Sequence, residues 1–104
     1  MRRGEYIRLS VHRIPDGLHV PSLSVLMMVS DLSSILEGWL TAPVVVGSRI
    51  HLVARFQHGK PINGVYTSTP ILAVQGQYVR TNRLIYQVLK VPPSRPEESF
   101  QEFA

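Results

Sequence analysis

The chain contains no cysteine, and this single absence removes disulfides, thiolate metal sites and cysteine nucleophiles, together with the small secreted disulfide scaffolds. Lysine is scarce as well: Lys60 and Lys90 stand against nine Arg. Long hydrophobic runs are missing. The longest, Val25 to Val29, has five residues, where a bilayer span needs about 20. Arg2 and Arg3 are followed from Gly4 to Arg13 by alternating polar and apolar residues rather than by the apolar core of a leader. The expectation is a cytoplasmic chain that does not engage a membrane. No G-x-S-x-G elbow, phosphate-cradling Gly-rich loop or zinc-type His spacing is present, so neither a metal nor a cofactor is expected.

What is present is 104 residues, 44 % apolar, enough for one core but not for two. Charge is segregated along the chain. Residues 1–91 hold ten basic and four acidic groups, whereas residues 92–104 set Arg95 against Glu97, Glu98 and Glu102. This predicts one globular domain over 1–91 and a Pro-rich, acidic, disordered tail over 92–104. Within that tail Phe100 and Phe103 are the candidates for docking to a partner.

Residues 6 to 14 alternate: Ile7, Leu9 and Val11 on one side, Tyr6, Arg8, Ser10 and His12 on the other, the period of a half-buried strand. Pro15-Asp16-Gly17 is a turn, and a short return strand is expected at Leu18 to Val20. Over residues 22 to 40 the period changes. Val25, Met28, Val29, Leu32, Ile35, Leu36, Trp39 and Leu40 share one face at 100° per residue, with Ser22 as N-cap, which predicts an amphipathic helix ended by Thr41-Ala42-Pro43. A rival pattern places a buried strand at 23–29 and a shorter helix from Ser30 or Asp31.

The second half reads as strands. Ile50, Leu52, Ala54 and Phe56 alternate with Arg49, His51, Val53, Arg55 and Gln57, repeating the basic outer face of the first strand. His58-Gly59-Lys60-Pro61 and Asn63-Gly64 are turn signals, and Pro61 to Pro70 reads as a long polar connector. A strand at Ile71 to Gln75 follows, then a hairpin with arms Tyr78 to Thr81 and Leu84 to Val91 around Asn82-Arg83. Apolar residues on both faces of that hairpin call for cover on both sides, from the helix or from a second copy of the chain. The predicted fold class is therefore α+β and strand-rich, in the order β-β-α-β-β-β-β. It would form a small, partly open β-barrel or a curled antiparallel sheet, OB-like or SH3-like, with one helix against it.

Functional candidates follow from the outward positions. Arg8, His12, Arg49, His51, Arg55, Arg80 and Arg83, with Tyr78 among them, form a basic strand face; guanidinium groups grip phosphates in pairs of hydrogen bonds, and aromatic rings stack on bases. The first expectation is a non-enzymatic module that contacts single-stranded or structured nucleic acid. The alternative is a protein-interaction module or accessory subunit, of a phage or plasmid type and possibly homodimeric, whose Arg face meets an acidic protein. A metal-independent ribonuclease is the third, requiring His12 or His51 to converge with Arg49, Arg55 or Arg80.

Overall fold

In the computed structural model, residues 4–15 and 31–93 can be described, and among them the secondary structure is entirely β. Seven strands, β1 (Tyr6–Arg13), β2 (Asp31–Leu40), β3 (Arg49–Gln57), β4 (Lys60–Pro70), β5 (Ala73–Gln75), β6 (Tyr78–Arg80) and β7 (Leu84–Lys90), form one antiparallel sheet in the order β4-β3-β2-β1-β7-β6-β5. Two meanders, β1 to β4 and β5 to β7, meet along the β1–β7 pair, where Leu9 lies opposite Val88 and Val11 opposite Tyr86.

The predicted helix is overturned from residue 31 onward: Asp31–Leu40 is the strand β2, hydrogen-bonded between β1 and β3. The rival, a helix from Ser30 or Asp31, fails on the same residues. Helical spacing deceived here because β2 carries apolar residues on both faces, Leu36 on one and Ile35 and Trp39 on the other. A strand covered on both sides loses its alternation. A bulge at Ser33, opposite the step from Val11 to His12, shifts the phase of β2 further. Residues 22–30 of the predicted helix, the return strand at 18–20 and residues 94–104, including Phe100 and Phe103, lie outside the described residues.

The polar connector at 61–70 is also corrected. It is β4, an edge strand of 11 residues, paired to β3 from Lys60 opposite Gln57 to Pro70 opposite Arg49. Its pattern looks like a loop because most of its side chains face solvent, and an edge strand can carry Pro61 and Pro70 where a central one cannot. The β3–β4 turn needs two left-handed residues, and His58 (φ 50°) and Gly59 (φ 79°) supply them in a two-residue type I′ hairpin.

One connection dictates the shape. β4 and β5 sit at opposite edges of the order, yet only Ile71 and Leu72 separate them in sequence. A flat sheet of seven strands would hold these edges about 29 Å apart at about 4.8 Å per strand. The link from Pro70 to Ala73 reaches about 11 Å at most. The sheet must curl until its edges meet at a corner, and the corner's hydrogen bonds record it. The Ile71 amide donates to the Ser48 carbonyl (2.8 Å), the Gly47 amide to the Ile71 carbonyl (2.9 Å) and the Leu72 amide to the Arg80 carbonyl (2.8 Å). No ladder joins β4 to β5, so the sheet curls without closing into a barrel.

The concave side holds the core: Ile7, Leu9, Val11, Leu36, Ile50, Leu52, Ala54, Ile71, Val79 and Tyr86. In β1 and β3 these are the residues whose alternation marks them as inward. Across the hollow, the hydroxyls of Tyr66 on β4 and Tyr86 on β7 are 2.7 Å apart, so the two halves of the curl touch through a polar contact as well as apolar packing.

Candidate binding face and the cleft beside it

The strand register assigns the convex face. Past the bulge at Arg55 the phase of β3 reverses, so Phe56 lies opposite Glu37 and Gln57 opposite the core residue Leu36, each off the side that alternation predicts. The other outward residues share the convex face: Arg8 and His12 on β1, Arg49, His51 and Arg55 on β3, Tyr78 and Arg80 on β6. They are on one face but not in one cluster. β3 and β6 are four strand positions apart, about 19 Å of sheet at about 4.8 Å per strand.

What lies between them is not cationic. Tyr6 is opposite Trp39, their rings edge to face with centroids 5.2 Å apart, and Tyr6 is buried rather than outward and open. Next to this pair, Arg8 Nε donates to Glu37 Oε2 at 3.0 Å, so one candidate guanidinium already has a carboxylate partner. In the last row, Ile85 is fully buried between His12 and Arg80 on its neighbouring strands. Ile85 and Tyr86, adjacent in β7, are both buried within a single chain, so a second copy is not needed to cover either.

The β3 group is partly engaged in building the fold. Thr41 donates its hydroxyl to the His51 carbonyl (3.1 Å), and the same oxygen contacts His51 Nδ1, which leaves Nδ1 as the donor of that second bond. His51 therefore pins the start of the β2–β3 connection. Arg49 donates to the Ser68 carbonyl at 3.1 Å. The buried Ser68 hydroxyl accepts from the Ile50 amide (2.9 Å) and donates to the Thr69 carbonyl (2.6 Å), bridging the register shift between Arg49 and His51. Arg55 sits half-buried at the bulged stretch of β3, beside the Glu37 row.

His12 and Arg80 flank Ile85 with polar atoms enclosed and without a hydrogen-bond partner, Nδ1 and Nε respectively. Burial lowers the His12 pKa, because enclosure disfavours the charged ring. His12 is opposite Leu32 at the start of β2, and His51 bonds to Thr41 just past its end, roughly 30 Å of extended strand away. The two histidines do not converge. Among the described residues no group of three or more His, Asp or Glu could hold a metal ion, and no helix is long and apolar enough to cross a membrane.

Arg83 departs from the others. It lies in the β6–β7 turn, among the residues that line a cleft of about 320 Å³ where the curled sheet brings β4 beside that turn. The Thr81 amide donates to the Leu84 carbonyl at 2.9 Å and its buried hydroxyl lies 3.3 Å from the same oxygen, so the turn is braced from within. Tyr66, Thr67 and Thr69 form the opposite wall. These three were hidden to sequence reasoning by the loop reading of 61–70. On the other side of Tyr66 a second cavity of about 390 Å³ opens over Leu36, Ala54 and Ile62.

Comparison with protein-family models, with curated proteins and with solved structures gives no match for the chain.

Proposed function

We propose that the chain is a non-enzymatic binding module whose convex face contacts nucleic acid through its phosphates. The observation that carries this reading is the common phase of Arg8, Arg49, Arg55, Tyr78 and Arg80, which the register of β1, β3 and β6 turns to one side of one sheet. The excess of basic over acidic groups in residues 1–91 favours a polyanion in the same direction. Because the β3 and β6 groups are separated, the ligand is an extended strand crossing the sheet rather than a compact anion. Trp39, beside the path, is a candidate stacking platform.

Anisotropy of a labelled single-stranded oligonucleotide, titrated at several salt concentrations, tests this. The logarithm of the binding constant is expected to fall with the logarithm of salt by about 0.7 for each phosphate contacted. Arg49→Glu and Arg80→Glu are expected to weaken binding and to flatten that slope. No binding at low salt, or binding indifferent to salt, overturns the proposal.

A second reading rests on the interruption of the cationic face by Glu37 and by the Tyr6–Trp39 pair. A surface that mixes arginine, a carboxylate and aromatic rings also fits an acidic protein partner. Co-purification of a protein that survives nuclease treatment and is lost in Arg49→Glu selects it.

A further inference from the structure

The cavity over Leu36, Ala54 and Ile62 lies on the concave side, and none of the basic residues assigned to the convex face lines it. Its volume of about 390 Å³ falls in the low part of the range of about 300–1,000 Å³ that small-molecule sites occupy. The register gives it a floor almost without side chains: Gly64 of β4 is opposite Ala54 of β3, on the core side of the sheet. Ile62 and Tyr66, two residues to either side of Gly64, share that face and stand as walls, and the curl brings Val11 of β1 and Leu84 of β7 to the far side. No charged side chain is among the described residues that line it.

Gly64 keeps this space open. A Cβ there would meet no atom within 4 Å, and the backbone is not left-handed, so neither a close approach nor a turn requires glycine at this position. A glycine inside a strand weakens the strand, and it recurs where a ligand comes close to the backbone. The Asn63-Gly64 pair that reads as a turn signal thus sits inside β4, at the edge of a cavity. At the rim, Gln57 Nε2 donates to Ser34 Oγ at 3.3 Å, so the rim offers the Ser34 hydroxyl proton as a donor and Gln57 Oε1 as an acceptor.

We propose that this cavity binds a small, flat, neutral aromatic molecule with one hydrogen-bonding edge. The floor of Gly64 and Ala54 takes the ring face, the Tyr66 ring packs beside it, and Ser34 and Gln57 meet the polar edge. A cavity of about 150 Å³ holds one benzene ring, so this one has room for two fused rings. A charged ligand is disfavoured, because nothing charged lines the walls to offset its desolvation. The proposal does not rest on the convex-face reading, which concerns the other side of the sheet.

Amide chemical shifts of the full chain, followed by NMR during titration with indole, provide the test. Saturable shifts are expected at Ala54, Gln57, Gly64 and Leu84. Benzofuran, which keeps the outline of indole but lacks its N–H, is expected to bind about fivefold more weakly, the worth of one neutral hydrogen bond. Gln57→Leu, which removes the acceptor, is expected to abolish that difference. Gly64→Leu fills the space from its floor and is expected to weaken indole roughly tenfold or more, with Gly64→Ala between it and the native chain. Thr67→Val, on the convex side of the same strand, changes neither titration. The spectra themselves show whether each variant is folded. Unsaturable shifts, shifts confined to the convex face, equal binding of indole and benzofuran, or a folded Gly64→Leu that titrates like the native chain overturn the proposal.

Discussion

On the concave side of the sheet, Leu9, Ile50, Leu52 and Val79 exclude water by packing on one another, whereas the convex side is held by unlike pairs: Tyr6 on Trp39, Arg8 on Glu37, His51 on Thr41. The concave residues are interchangeable in kind, and their positions follow from alternation alone. The convex residues depend on which strand lies next to which. That difference explains why a row of cations legible in sequence does not become a continuous cationic surface. Register places a partner beside some of them, and a polar side chain with a partner costs less to hold than one without.

The contrast is sharpest at two adjacent residues of β3. Leu52→Ala leaves a cavity in the core and is expected to cost about 3 kcal/mol, while Val53→Ala on the convex side is expected to cost under about 1 kcal/mol, both by urea denaturation. Equal losses would erase the distinction between the faces.

Gly38 probes the sheet between them. A Cβ there would fall on the Val53 carbonyl oxygen and lie 2.8 Å from the Ala54 Cα, so β2 admits no side chain where it faces the bulge at Arg55 of β3. Gly38→Ala is expected to cost about 2 kcal/mol in the same denaturation experiment, and a neutral outcome would show that the bulge relaxes.

How far the fold can be read from sequence follows from the same contrast. Residues 49–54 were legible, because there β3 is buried on one face and open on the other, but the bulge at Arg55 reverses the sides of Phe56 and Gln57, and no alternation pattern announces a bulge. β1 was legible apart from Tyr6, whose burial depends on Trp39 arriving opposite it. β2 was misread because a strand with apolar residues on both faces mimics a helix over ten residues. β4 was misread because a solvated edge with Pro at 61 and 70 has the composition of a loop. The candidate face was legible as a set of phases, but the spacing between its β3 and β6 groups was not, since strand order is set by non-local pairing.

Smaller effects test the convex pairs. A double-mutant cycle on Arg8→Gln and Glu37→Gln is expected to give a coupling of about 0.5 kcal/mol, since the pair is only partly shielded from water. A coupling of zero would show that the pair adds nothing to stability. The smallest expected effect is at His12. Its pKa is lowered in the fold, so below about 6.5 the unfolded chain takes up a proton that the folded chain refuses. Stability is therefore expected to fall as pH drops below that value and to level off below the lowered folded pKa. His12→Gln should flatten that part of the stability profile between pH 7 and 5, and an unchanged slope would show that His12 remains open to water.

The β1–β7 seam has a consequence in time. Ile7 pairs with Lys90 and Arg13 with Leu84, so the contacts that join the two meanders are between residues near opposite ends of the described chain. Each meander can zip from its own hairpins, yet neither encloses the hollow until the seam forms, and that step carries the largest loop-closure entropy in the molecule. The seam is thus expected to be the rate-limiting event of folding.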